Sequence, residues 1–137
     1  MSILVLDTSV TLSWCFQDET NPYADKVLDA IAPAGALVPP IWPLEVVNVL
    51  VQAERLKRLT RAATAAFLGL LRQLPIVIEA EGTSKVFDSV LPLARASRLS
   101  AYDAAYLEQA MRSGLPLATL DRRLQKAAAD IGIKLFS

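Results

Sequence analysis

The chain contains no histidine. That absence removes Ser-His-Asp and Cys-His catalysis, histidine phosphotransfer and most zinc sites together. Any acid–base chemistry must then come from Asp, Glu, Lys, Tyr or a metal-bound water. The single cysteine, Cys15, cannot form an internal bridge, which agrees with a reducing compartment. No apolar run approaches the ~20 residues needed to cross a bilayer. The opening Ile3-Leu4-Val5-Leu6 is too short for a signal-peptide core and meets an acid at Asp7. A cytoplasmic protein without membrane contact is expected. Charge of one sign is also missing: Lys+Arg and Asp+Glu stand at 14 each, so no global basic field announces a nucleic-acid binder.

What is present is apolar. With 137 residues, 53% of them hydrophobic, the chain fits a single domain spanning residues 1–137, can bury a core without disulfides, and is not disordered. Its charges are unevenly spread. Through Glu45 acids dominate and Lys26 is the only base, whereas Arg55, Lys57, Arg58 and Arg61 follow close together. A basic patch beside an acidic pocket suits a phosphate backbone, although a solvated surface produces the same pattern.

Short apolar runs alternate with helical periodicity, which reads as an α/β fold with a parallel sheet. Strands are expected at Ile3–Leu6, Ala36–Val38, Ile76–Ile78, Leu115–Ala118 and Ile133–Leu135. Helices are expected at Thr8–Phe16, Pro22–Ile31, Ile41–Lys57, Arg61–Leu74, Ser84–Ala94, Ala101–Arg112 and Arg122–Asp130. Pro39, Pro40 and Pro43 mark the entry to the third helix, and Thr60 is the expected N-cap of the fourth. Gly114 and Gly132 sit just past helix ends, where left-handed caps fall. The third and fourth helices should form an antiparallel hairpin. Its Leu56, Leu59, Phe67, Leu70, Leu71 and Leu74 offer more apolar surface than a lone hairpin hides, through packing on the sheet or through a dimer or partner surface.

Four carboxylates stand out, each with a plainer explanation beside it. Asp7 ends the first strand, where parallel sheets bind ligands, yet Asp is also a favoured N-cap for the helix beginning at Thr8. Glu45 belongs to the narrow polar stripe Glu45, Asn48, Gln52, Arg55 of an otherwise apolar helix. That stripe is either a solvent edge or a pocket wall presenting Glu45 and Asn48 together. Asp103 shares the apolar face of its helix with Tyr106, Leu107, Ala110 and Met111, opposite Glu108, Gln109 and Arg112. An inward carboxylate costs several kcal/mol, to order of magnitude, unless compensated; the competing reading is a capping box with Ser100. Asp121 follows a strand and can cap Arg122–Asp130, with the Thr119 hydroxyl beside it. All four follow a strand or open a helix, where a parallel fold gathers its loops. Clustered carboxylates raise one another's pKa values, and an oxygen-seeking cation, Mg²⁺ or Mn²⁺, relieves the repulsion.

These residues resemble the PIN-domain ribonucleases, specifically the VapC-type toxins of toxin–antitoxin pairs. The likeness runs through Val-Leu-Asp7-Thr-Ser, Pro-Leu-Glu45-Val-Val-Asn48, Leu-Ser-Ala-Tyr-Asp103-Ala-Ala-Tyr-Leu and Leu-Ala-Thr119-Leu-Asp121-Arg-Arg-Leu. It implies a three-layer α/β/α fold whose five-stranded parallel sheet has the order 3-2-1-4-5, with a protruding helical hairpin. It implies that Asp7, Glu45, Asp103 and Asp121 form an acidic quartet binding Mg²⁺ (or Mn²⁺), with Ser9 and Thr119 as neighbouring hydroxyls. It further implies RNA as substrate, a small VapB-type antitoxin as partner, and a homodimer. Two other functions are consistent with the acids. A phosphohydrolase using Asp7 as nucleophile would need a second Asp where Ser9 stands, and a non-catalytic binding module would use the acids only as helix caps.

Overall fold

The computed structural model describes residues 2–16, 21–80 and 82–137. Four strands, β1 (Val5–Leu6), β2 (Ala36–Val38), β3 (Ile76–Ile78) and β4 (Leu117–Ala118), form a parallel sheet in the order β3-β2-β1-β4. The central strand β1 is fully buried, as parallel strands covered by helices are. It pairs Val5 with Leu37 on one side and with Leu117 on the other.

The expected fifth strand is reduced to one bridge. Leu117 and Leu135 pair in parallel, with Leu117 donating to Lys134 O (2.9 Å) and accepting from Phe136 N (2.9 Å). The segment therefore lies beside β4, at the edge the resemblance implied. It does not extend into a ladder: Leu117 alone takes both bonds, and Gly132 turns the chain at φ +81° just before it. Among the described residues the sheet has four strands rather than five.

Helices α1 (Thr8–Ser13), α2 (Pro22–Ala34), α3 (Trp42–Arg55) and α4 (Arg61–Gln73) fill the first half. Thr60 caps α4 through Ala63 N–H as expected. The basic turn between α3 and α4 is a Schellman closure with a non-glycine residue: Arg58 N–H bonds Ala53 O, Lys57 N–H bonds Glu54 O, and Lys57 adopts φ +57°. Near this turn Thr64 of α4 donates to Glu54 of α3 (2.6 Å). Of the hairpin's apolar set, Phe67 and Leu71 are buried while Leu56 and Leu70 are exposed.

The expected Ser84–Ala94 helix runs longer and in three pieces: α5 (Thr83–Lys85), a π-helical turn (Val86–Val90) and α6 (Leu91–Ser97). Pro92 explains the break, because it has no N–H to return and its ring crowds the preceding turn. The chain widens just upstream, and Leu91 N–H reaches back five residues to Val86 O.

Helix α7 (Ala101–Ser113), which carries Asp103, lies between the sheet and this broken helix, and α8 (Arg122–Asp130) follows β4. Covered on two sides, α7 departs from the polar and apolar halves read from its period. Glu108 and Gln109 are buried, not on a solvent face, and Met111 is exposed. Arg112 makes the burial of Glu108 tolerable. It donates to Glu108 (2.9 Å) and reaches Glu79 at the end of β3 (2.6 Å). Gln109 Oε1 is buried with no hydrogen-bond partner among the described residues. No helix among the described residues is long and apolar enough to cross a membrane.

Candidate active site

Asp7 directly follows β1, and its carboxylate caps α1 through Val10 N–H (3.1 Å). The capping role weighed from the sequence is therefore real, but it is not the whole environment. Ser9 donates to both Asp7 oxygens (2.7 and 2.9 Å), and Thr119, just past β4, donates to Oδ2. The two hydroxyl oxygens are themselves held from behind: Leu120 N–H bonds Ser9 Oγ (2.9 Å) and Asp121 N–H bonds Thr119 Oγ1 (3.0 Å). Ser9 and Thr119 thus stand beside Asp7.

Asp7 is only 4% exposed, and burial raises its pKa from 3.8 to about 6 against the lowering effect of these hydrogen bonds. Nearby Asp121 adds a further upward push. Asp121 caps α8 through Arg123 and Leu124 N–H (2.9 and 3.3 Å). Asp103 is half-buried in the first turn of α7, and its pKa is raised first by burial, then by the charges of Asp121 and Glu45. Arg123 and the Ser100 hydroxyl oppose that rise. Ser100 also accepts from Asp103 N–H (3.1 Å), one arm of the capping box weighed above.

Glu45, in the first turn of α3, turns its Oε1 toward Thr8 and Tyr106. Thr8 donates to it at 2.9 Å and Tyr106 at 2.5 Å, and the two hydroxyls stand 2.8 Å apart. Tyr106 is 1% exposed, and burial together with the Glu45 charge pushes its pKa far up, so it stays a donor.

Asp121 therefore bears on both Asp7 and Asp103, and Glu45 on Asp103, which links the four acids in series at the carboxyl edge of the sheet. Asn48 is not drawn in with them: it is exposed, and no hydrogen bond joins it to the acids among the described residues. Sequence reasoning missed Thr8, Tyr106 and Arg123. Thr8 adjoins Asp7, Tyr106 lies one turn beyond Asp103, and Arg123 lies two residues past Asp121; each spacing was visible in the sequence. The basic stretch Arg55, Lys57, Arg58, Arg61 is exposed at the α3–α4 turn. Arg58 places its guanidinium 4.8 Å from the centre of the Phe16 ring, and both line a cavity of about 420 Å³ that Ser9 and Leu120 also line.

The donor set is all oxygen and suits a hard divalent cation. Three donors, Val10 N–H, Ser9 O–H and Thr119 O–H, face the roughly four lone-pair positions of the Asp7 carboxylate, so acceptor capacity remains. Among the described residues no group of three acids stands tightly enough to hold an ion as it is. The Asp7 carboxylate is held by Ser9 and Thr119, and Oε1 of Glu45 by Thr8 and Tyr106.

A parallel α/β sheet gathering carboxylates at its carboxyl edge defines the class of fold. A PIN-domain family model matches residues 4–130, and the chain belongs to that family. Similar solved folds include PAE2754 from Pyrobaculum aerophilum (24% identity, TM-score 0.70, covering 92% of this chain and 84% of that one). Another is a toxin–antitoxin complex from Klebsiella pneumoniae (21%, 0.59, 93% and 92%). A third is FitAcB from Neisseria gonorrhoeae (20%, 0.58, 98% and 97%). At these identities the likeness is one of fold. The comparison with curated proteins found no match.

Proposed function

We propose that this protein is a metal-dependent endoribonuclease, the toxin of a toxin–antitoxin pair. The observation that carries the reading is the series of neighbouring acids, Asp7 beside Asp121, Asp121 beside Asp103 and Asp103 beside Glu45, in a chain of the PIN family. Asp7, Asp103 and Asp121 would hold Mg²⁺, or Mn²⁺ in its place, with Glu45 completing the set. When bound, the cation lowers the pKa of a water and neutralises charge at phosphorus.

The chain's own residues supply the rest. Ser9 and Thr119 orient the Asp7 carboxylate. Asp103 or Glu45 accepts the proton of the attacking water. Arg123, close enough to lower the Asp103 pKa, would offset charge on the scissile phosphate. The toxin assignment is supported by the fold shared with the Klebsiella toxin–antitoxin complex. It brings with it a small antitoxin partner and a homodimer.

The caps made by Asp7 and Asp121 favour one alternative, a binding module without catalysis. Calorimetric titration with Mg²⁺ and Mn²⁺, followed by incubation with RNA, decides between them. Specific metal uptake with metal-dependent cleavage is expected; no uptake would leave the acids as caps alone.

A further inference from the structure

One buried hydroxyl ties together three segments that carry candidate site residues. Tyr106 is on α7, one turn beyond Asp103; its partners are Glu45 on α3 and Thr8, the neighbour of Asp7. The three oxygens form a closed triangle of 2.5, 2.8 and 2.9 Å. The two hydroxyls bring two protons to three edges. The shortest edge is Tyr106 to Glu45, in the range expected when a hydroxyl donates to a carboxylate.

Both donors converge on Oε1 of Glu45, and among the described residues neither touches Oε2. Packing alone does not call for this hydroxyl, since the ring is buried and a phenylalanine would fill the same space. Glu45 and Asp103 repel each other, so a freely rotating Glu45 would swing away from the cluster.

We propose that Tyr106 is a positioning residue: with Thr8 it pins Oε1 of Glu45 and leaves Oε2 as the oxygen offered to a cation held by the acid cluster. The inference rests on the nuclease reading above. Tyr106 touches neither cation nor substrate in this role; it acts through Glu45, as partners behind metal ligands do.

The test uses the full chain and Mn²⁺ alone, titrated by calorimetry without RNA. Tyr106→Phe is expected to weaken Mn²⁺ binding about 10-fold. In cleavage of an RNA oligonucleotide it should lower kcat about 10-fold and leave KM unchanged. In a Glu45→Gln background Tyr106→Phe should have no further effect on Mn²⁺ affinity, because the residue it orients has lost its charge. Thr8→Val should weaken binding and Thr8→Ser restore it, which keeps the proposal open to refutation even where Tyr106→Phe fails to fold. Unchanged Mn²⁺ affinity in folded Tyr106→Phe or Thr8→Val, or full additivity with Glu45→Gln, overturns the positioning role alone. Absence of Mn²⁺ uptake by the unaltered protein overturns the nuclease reading and this one with it.

Discussion

The Thr119 hydroxyl donates to Oδ2 of Asp7 across 112 residues of chain, joining the loops that leave β4 and β1. These strands are neighbours in the sheet, paired Val5 with Leu117 and Leu6 with Ala118. Their carboxyl ends therefore open side by side, and the two residues meet immediately beyond the last pair. Thr119 in turn accepts from Asp121 N–H, so the same hydroxyl links two of the acids.

Burial makes Asp7 a source of instability in the protein without metal. Its folded pKa of about 6 lies above the unfolded 3.8, so the folded state holds more protons between those values. Stability therefore falls as pH rises from about 4 to 6, and the full penalty, about 3 kcal/mol, persists above that window. Asp7→Asn should raise Tm at pH 7.5 and change it little at pH 4, while abolishing cleavage. Differential scanning calorimetry at both pH values checks this. An unchanged or lower Tm at pH 7.5 would contradict it.

Asp103→Asn should lower cleavage by about 100-fold or more, with the circular dichroism spectrum unchanged. Under the proposed function, products of the unaltered protein should carry 5′-phosphate and 3′-hydroxyl ends, because the proposed attacking group is water and not a ribose hydroxyl. End analysis of cleaved RNA reads this directly, and a cyclic 2′,3′-phosphate would refute it.

Divalent metal should stabilise the fold. A cation that binds the native acids but not the unfolded chain adds about 2.7 kcal/mol at a hundred times its Kd. Tm should rise with added Mn²⁺ and return to its starting value with EDTA. Asp7→Asn should lose most of that rise; an equal rise in the variant would place the metal elsewhere.

Lys57 closes α3 with a left-handed backbone at φ +57°, a conformation glycine adopts without the steric penalty of a side chain. Lys57→Gly should stabilise the protein by about 0.5–1 kcal/mol, read as an increase of about 2–5 °C in Tm. A lower Tm would mean that the lysine side chain itself contributes to folding.

The placement of the candidate acids was largely legible because capping and strand ends are local features. An acid after an apolar run, with a helical pattern following, marks both an N-cap and the carboxyl edge of a parallel sheet. Asp7 and Asp121 occupy both kinds of place. Caps at Thr60 and turns at Gly114 and Gly132 obey the same short-range chemistry. The α7 helix was harder to read. Helical period tells which residues share a face, not which faces become covered, and α7 is covered on two sides, so Glu108 and Gln109 went inside against their polarity.

By itself the amino-acid order determined the alternation of elements, the parallel sheet and the acids at its rim, since each follows from side-chain period and capping over a few residues. Tertiary structure alone decided that the last segment adds one bridge and not a strand. It also decided that Tyr106 meets Glu45 across 61 residues and Thr8 across 98, and that Asn48 stays outside. Such contacts depend on how whole helices settle against the sheet, and no local spacing encodes the distance between groups so far apart in the chain.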